Sequence, residues 1–94
     1  MNALPGQGDT LTELLLSAVS DGGPASNPSC VFFLVTRSAS HRDVVHVTEG
    51  WVSKEAHAEN FSREVSRAFT AKVGALVSDA QYGDDVPAGG KFPR

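Results

Sequence analysis

The sequence predicts an α+β domain, an antiparallel sheet with two helices on one of its faces. Three stretches carry that expectation. Cys30–Thr36 (CVFFLVT) is β-branched or aromatic almost throughout, the composition that suits a pleated strand. Val44–Phe69 reads as a strand that runs nearly unbroken into an amphipathic helix. Leu11, Leu14, Leu15 and Ala18 recur at helical spacing, which predicts a first helix over about residues 10–20.

Taken in order, Met1–Gly8 is short and contains Pro5-Gly6-Gln7-Gly8, a turn signal. Its Gly-x-Gly lacks a preceding strand and a third glycine, so it is not a phosphate loop. Thr10-Leu11-Thr12-Glu13 fits a capping box, with Thr10 as N-cap and Glu13 reaching back to it. Asp21-Gly22-Gly23-Pro24 stops the helix, and a polar loop leads into the strand at Cys30. Alternation along that strand puts Val31, Phe33 and Val35 on one face and Cys30, Phe32 and Leu34 on the other. Both faces are apolar. Two helices in so small a chain cover one face of a sheet, so the other is expected to be covered by a second copy.

Arg37–Asp43 (RSASHRD) is a polar hairpin connection, which makes the next strand antiparallel to the last. In that strand Val45, Val47, Glu49 and Trp51 share one face, and Val44, His46, Thr48 and Gly50 the other. Ser53 is placed as the N-cap of the second helix, with Glu55 in the first turn. His57, Phe61, Val65, Ala68 or Phe69, Val73 and Leu76 then form one stripe. An acid, an indole and an imidazole thus gather where strand meets helix, and that junction is the candidate site. Ser78–Pro87, with Tyr82 and Val86, is expected to hold one short edge strand, and residues 88–94 read as a tail.

Composition bounds the function. The 94 residues are 40% hydrophobic and 20% charged, ordinary for one folded domain. A net charge of −3 with eight scattered basic residues argues against a nucleic-acid partner, which needs clustered Lys and Arg. No apolar run is long enough to span a bilayer as a helix, and neither of the longest runs follows the basic start of a secretory signal. Cys30, the single cysteine, has no internal disulfide partner and reads as a small buried hydrophobe. These features set the expectation of a cytoplasmic protein without a membrane span.

Glu49-x-Trp51 followed by Ser53-Lys54-Glu55-Ala56-His57 resembles the E-x-W-x-S-x-E-A-h signature of the antibiotic biosynthesis monooxygenase family, within the dimeric α+β barrel superfamily. Pro5-Gly6 ahead of a Leu-rich helix is similar to that family's exit from its first strand. Pro87-x-Gly-Gly-Lys91 is similar to the tail of its quinol-monooxygenase-like branch. The resemblance implies a ferredoxin-like β-α-β-β-α-β protomer over residues 1–94, whose sheet pairs with that of a second chain. The family's first strand normally extends several residues ahead of the Pro-Gly. Only Met1–Leu4 remain here, so a truncated first strand is expected, with residues 1–8 as its remnant and turn.

The implied activity is oxygenation of a small aromatic, phenolic or quinol-like substrate by O₂ with no flavin, haem or metal cofactor. Such a site needs a base, dry walls and hydrogen bonds to the developing charge. His57 is the expected base, since imidazole titrates near neutrality, and Asn60, one turn further on, the expected catalytic hydrogen-bond partner. Trp51, Phe33, Phe61, His46 and Glu49 are the expected substrate-binding residues. Each has a plainer alternative. Trp51 can be core filling, Glu49 a structural ion pair and His57 a solvated helix residue. His46 faces away from Trp51, so the two should not line one pocket within a protomer.

No metal-ligand spacing emerges, because His41-x₄-His46 spans a turn and a strand without a recognisable partner. The haem-degrading branch of the superfamily is expected to carry a Trp about nine residues after the motif's Trp and a His about ten further on. Asn60 and Thr70 stand there instead. Two function classes remain. One is a cofactor-independent monooxygenase. The other is a non-catalytic dimeric barrel that binds a hydrophobic metabolite or packs against a partner protein.

Overall fold

The computed structural model describes residues 1–91. In chain order its elements are β1 (Asn2–Ala3), α1 (Gly8–Leu16), β2 (Cys30–Arg37), β3 (Val45–Trp51), α2 (Lys54–Ser62), α3 (Glu64–Gly74) and β4 (Val77–Asp79). β1 pairs antiparallel with β4, and β2 with β3. The two ladders meet where Asn2 bridges Val44 antiparallel. There Ala3 N donates to Asp43 O at 2.7 Å and Val45 N to Met1 O at 2.9 Å. The edge-to-edge order is therefore β4-β1-β3-β2, the antiparallel order of a ferredoxin-like α+β fold. A first strand of only two residues is what the sequence led one to expect.

The core sits at one end of this sheet. Ala3, Leu11, Leu15, Val45 and Val73 are buried against one another, and Val35, Val47, Phe69 and Leu76 pack around them. Leu11 and Leu15 are one helical turn apart, so α1 presents both to the sheet. Val73 brings α3 to the same place. Burying one such aliphatic side chain contributes about 1.5–3 kcal/mol, which is why the two helices hold where they do.

α1 begins earlier than expected and without the capping box. Its N-cap is Gln7, which makes no side-chain cap, and Thr12 Oγ1 donates to Gly8 O at 2.8 Å. The capping acceptor comes instead from the hairpin: the Asp43 carboxylate accepts from Gly6 N at 3.0 Å and Gly8 N at 2.9 Å. A carboxylate 35 residues downstream thus meets the first free donors of a helix that starts two residues ahead of Thr10. The helix ends at Leu16 and tightens into a 3₁₀ turn over Ser17–Val19.

β2 carries a bulge that changes its faces. Cys30 lies opposite Trp51 and Phe32 opposite Gly50, so Val31 is the extra residue. Beyond it, Phe33, Val35 and Arg37 oppose Glu49, Val47 and Val45 on the helix side. Because of the bulge Cys30 shares that side, and the expected grouping of Cys30 with Phe32 and Leu34 is corrected. Phe32 lies over Gly50, where an added Cβ would collide with its ring. On the outer face Leu34 is 55% exposed within the single chain, and the bulged Val31 is 63% exposed.

The long second helix is in fact two. Arg63 is extended (φ −72°, ψ 151°) and separates α2 from α3. The expected stripe breaks with it: Phe61 and Val65 are exposed, while Val73 is buried. Ser53 caps α2 as expected, accepting from Ala56 N at 3.0 Å. The last strand falls at Val77–Asp79, ahead of the expected position. Tyr82 and Val86 lie beyond it, 83% and 91% exposed. Of the tail expected over 88–94, residues 88–91 have no regular structure, and the remainder lies outside the described residues.

Two glycines test this packing. Gly8 is buried, and a Cβ there would collide with the Arg42 carbonyl oxygen and the Asp43 carboxylate, whereas Gly74 has open space around it. Gly8→Ala is expected to destabilise by roughly 1–3 kcal/mol, as overpacking does. Gly74→Ala, at helical φ, is expected to stabilise by about 0.4–1 kcal/mol. Urea melts of the two variants against wild type measure both signs.

Candidate functional site

β3 delivers Glu49 and Trp51 to the same side of the sheet, and α2 begins three residues later. One turn into α2, His57 comes back over the strand end. The three side chains meet there. Trp51 Nε1 donates to Glu49 Oε1 at 2.7 Å, and His57 Nε2 lies 3.2 Å from the same oxygen. The Trp51 and His57 rings are stacked, with centroids 5.1 Å apart and planes 24° apart. The sequence brings an acid, an indole and an imidazole to this junction, and the structure joins them through a single carboxylate oxygen.

The chemistry of such a cluster follows from its donors. A carboxylate oxygen that takes an indole N–H still has capacity for a second donor. An imidazole whose Nε2 carries its proton toward that oxygen leaves Nδ1 as the free acceptor. Among the described residues the cluster is half-open: the side chains of His57 and Glu49 are 41% and 32% exposed.

Beneath α2, on the helix side of the sheet, Cys30, Phe33 and Trp51 are half-buried. They share one side of the sheet, Cys30 opposite Trp51 and Phe33 opposite Glu49, at the far end of the β2–β3 ladder from Val45. Cys30 Sγ donates to Phe32 O at 3.3 Å. Burial, and then the Glu49 charge, push its thiol above the ordinary value, so it stays protonated and unreactive at neutral pH. Phe61, expected as a second aromatic wall, is 56% exposed. His46 lies on the outer face, as its position along β3 requires. It lines an open depression of about 350 Å³ with Met1, Asn2, Val44 and Asp79.

Asn60 is placed differently from its expected role. It is buried, its Nδ2 donates to Pro24 O at 2.8 Å and to Ser66 Oγ at 3.4 Å, and its Oδ1 accepts from Asn27 Nδ2 at 3.0 Å. Both amide protons are thereby used. Asn60 clips α2 to the loop before β2 and to α3. Spacing along a helix fixed its direction relative to His57, but could not reveal that a loop more than 30 residues earlier would claim its hydrogen bonds.

A second polar cluster lies at the start of α1 and was not singled out from the sequence. Asp9 pairs with Arg37 at 2.6 Å and with Arg42 at 3.3 Å. Arg37 also donates to the Arg42 carbonyl. With Gly6, Gly8 and Asp43 these residues border an open depression of about 270 Å³. The two arginines face two carboxylates there, so the local charge balances. The Arg37 hydrogen bond and charge, with that of Arg42, hold the Asp9 carboxyl below its ordinary value. Among the described residues no three His, Cys, Asp or Glu side chains converge as a metal site would require. No helix of the described residues is long and apolar enough to cross a membrane.

The strand order and the helices on one face define a ferredoxin-like α+β protein. No protein-family model matches the sequence, and no curated protein does. Solved structures do. The chain is similar to a "putative antibiotic biosynthesis monooxygenase" of Chloroflexus aurantiacus J-10-fl, with 29% identity, a TM-score of 0.80, and coverage of 98% of this chain and 90% of that one. A protein of the same description from Deinococcus radiodurans aligns over 95% of this chain and 92% of its own, at 18% identity and a TM-score of 0.70. A Bacteroides thetaiotaomicron protein described as a "possible oxidoreductase" shares the fold over 80% of this chain and 78% of its own, at 15% identity and a TM-score of 0.69. By fold and by near-complete alignment, the chain is similar to proteins described as antibiotic biosynthesis monooxygenases.

The Asp9 pair has a pH signature of defined sign. A carboxyl whose folded value is depressed stabilises above its unfolded value, near 3.8, and that contribution disappears as pH falls through the folded value. The stability difference between wild type and Asp9→Asn is therefore expected at about pH 6 and should shrink progressively as pH falls below 3.8. Thermal melts across that range check it.

Proposed function

We propose that the protein is a cofactor-independent monooxygenase that oxidises a small aromatic, phenolic or quinol-like substrate with O₂, and that it works as a homodimer. The observation that carries the reading is the Glu49–Trp51–His57 cluster on the side of the sheet that also carries Cys30 and Phe33. The likeness to the Chloroflexus protein supports it.

In this reading His57 Nδ1 takes a proton from the bound substrate, and Glu49 steadies the imidazolium that forms. The electron-rich anion passes one electron to O₂. The resulting radical and superoxide combine to form the carbon–oxygen bond. From an anthrone-like CH₂, loss of water from the peroxide leaves C=O, so one oxygen atom stays in the product and the other leaves as water. Trp51 and Phe33 supply the apolar wall against which a flat ring stacks. Dryness at that wall is the protein's main contribution, since it strengthens every charge interaction in the site. The cytoplasm is the compartment we propose, on the strength of one unpaired, unreactive cysteine.

The homodimer rests on the outer face of the sheet. Val31 and Leu34 are more than half exposed in the single chain, on a strand whose inner face is already used by the helices. Contiguous apolar surface of that kind is normally covered, and a second copy meets it sheet to sheet. One set of observations favours the rival reading of a non-catalytic barrel. Asn60 is committed to Pro24, Ser66 and Asn27, and the two depressions described above lie away from Trp51.

Oxygen uptake with a panel of quinols and anthrones separates the two. Wild type is expected to exceed the protein-free rate with at least one of them. His57→Ala should then lose roughly 10²-fold or more, the usual weight of a general base, and Trp51→Phe should lose less. Uptake at the protein-free rate with every substrate would leave the binding reading in its place. The dimer is checked by sizing in solution. Wild type should elute near twice its 9.9 kDa mass, and Leu34→Glu, which puts a charge on the outer face, as a folded monomer. Wild type eluting as a monomer would sink the sheet-to-sheet assembly.

A further inference from the structure

We infer that α2 is a hinged flap over the Glu49–Trp51 end of β3, latched by Glu49, and that it moves while α3 stays fixed. The two helices are adjacent in sequence but held in different ways. α3 sinks Val73 into the core and packs Phe69 against it. α2 buries only one side chain, and that side chain is the polar Asn60. Its nine residues are fewer than the roughly 12–15 that an isolated helix needs to be even marginal in water. Its order therefore depends on what holds it to the body.

Those holds are few and all polar or aromatic. At its start Ser53 caps it. Near its end Asn60 fastens it to Pro24, Asn27 and Ser66. Between them His57 contacts Glu49 and stacks on Trp51. His57 and Asn60, three residues apart, lie on one face of the helix, so both attachments act on the same side. Phe61, the helix's largest apolar side chain, is mostly in solvent and adds little to the hold.

The ends are built to turn. At Arg63 the extended backbone interrupts the helical ladder for one residue, with Arg63 N donating to Asn60 O. At Ser53 the backbone is also extended, at φ −157° and ψ 161°. A rotation about these two residues breaks the Asn60 hydrogen bonds to Pro24, Asn27 and Ser66 and lifts α2 while Val73 and Phe69 keep α3 in the core, as hinge motions at element ends do. Lifting it separates His57 from Trp51 and Glu49 and opens the Cys30–Phe33–Trp51 side of the sheet. Closing it returns the imidazole to Trp51 and Glu49. The flap is a property of the chain alone and stands whether or not the site oxygenates anything.

Hydrogen exchange read by mass spectrometry on the purified full chain tests this without a ligand. Amides of 54–62 are expected to exchange roughly tenfold or more faster than those of 66–74, as a separately opening unit does. Glu49→Ala removes the latch from an exposed position. It should speed exchange in 54–62 a further severalfold and leave 66–74 and 32–36 unchanged. Acrylamide quenching of Trp51, the only tryptophan, should rise in the same variant, and in His57→Ala, as the stacked ring departs. Equal protection of 54–62 and 66–74 in wild type would overturn the flap. So would a Glu49→Ala effect spread evenly over both helices and the strand.

Discussion

The close contact of Leu11 and Leu15 with Val45, at the end of the sheet where β1 crosses, is what the rest of the molecule is arranged around. It is a small core, and it lies to one side. Around it α1, α3 and the central strands are fixed by apolar burial, which is strong and indifferent to direction. Away from it the remaining attachments are hydrogen bonds and ring contacts, which are individually weaker in net terms and depend on geometry. The division explains where chemistry can reside. A half-covered apolar surface with polar groups at its edge forms only where the core does not reach.

Glu49 shows how such an edge is organised. Its carboxylate lies on the helix side of β3, the side that Val45 and Val47 use for packing, two positions further along the strand. At the core end that side is dry, and a carboxylate there would need a buried partner. Beyond the core the side opens, and the same alternation can deliver an acid, with an indole and an imidazole to occupy it. One strand thus serves packing at one end and a polar site at the other, without any change in its regular pattern.

Much of this was legible in the residues. CVFFLVT could hardly be anything except a strand, and Ser53 announced the start of α2. The meeting of Glu49, Trp51 and His57 followed from period-two alternation and one helical turn. What escaped was non-local or out of period. The cap of α1 is Asp43, brought in by the hairpin, so a plausible Thr10 box at the right spacing was bypassed. The break at Arg63 has no proline or glycine to mark it, and the hydrophobic spacing runs on across it. Asn60 looked like a site residue by position, but the loop carrying Pro24 and Asn27 took its hydrogen bonds. The bulge at Val31 cannot be seen in a sequence of uniformly good strand formers, yet it decides which face Cys30 joins.

That bulge bears on a different matter, the safety of the open edge. Among the described residues β2 is the outermost strand, eight residues long and mostly apolar, with no strand paired along its free side. A strand of that composition is a template on which stray chains could stack in register. The extra residue at Val31 throws the repeat out of step near one end, and the charged Arg37 closes the other. A foreign strand laid alongside would match for only a few residues before its spacing failed. The same irregularity that turns a thiol inward thereby guards a newly made chain against fibrous growth.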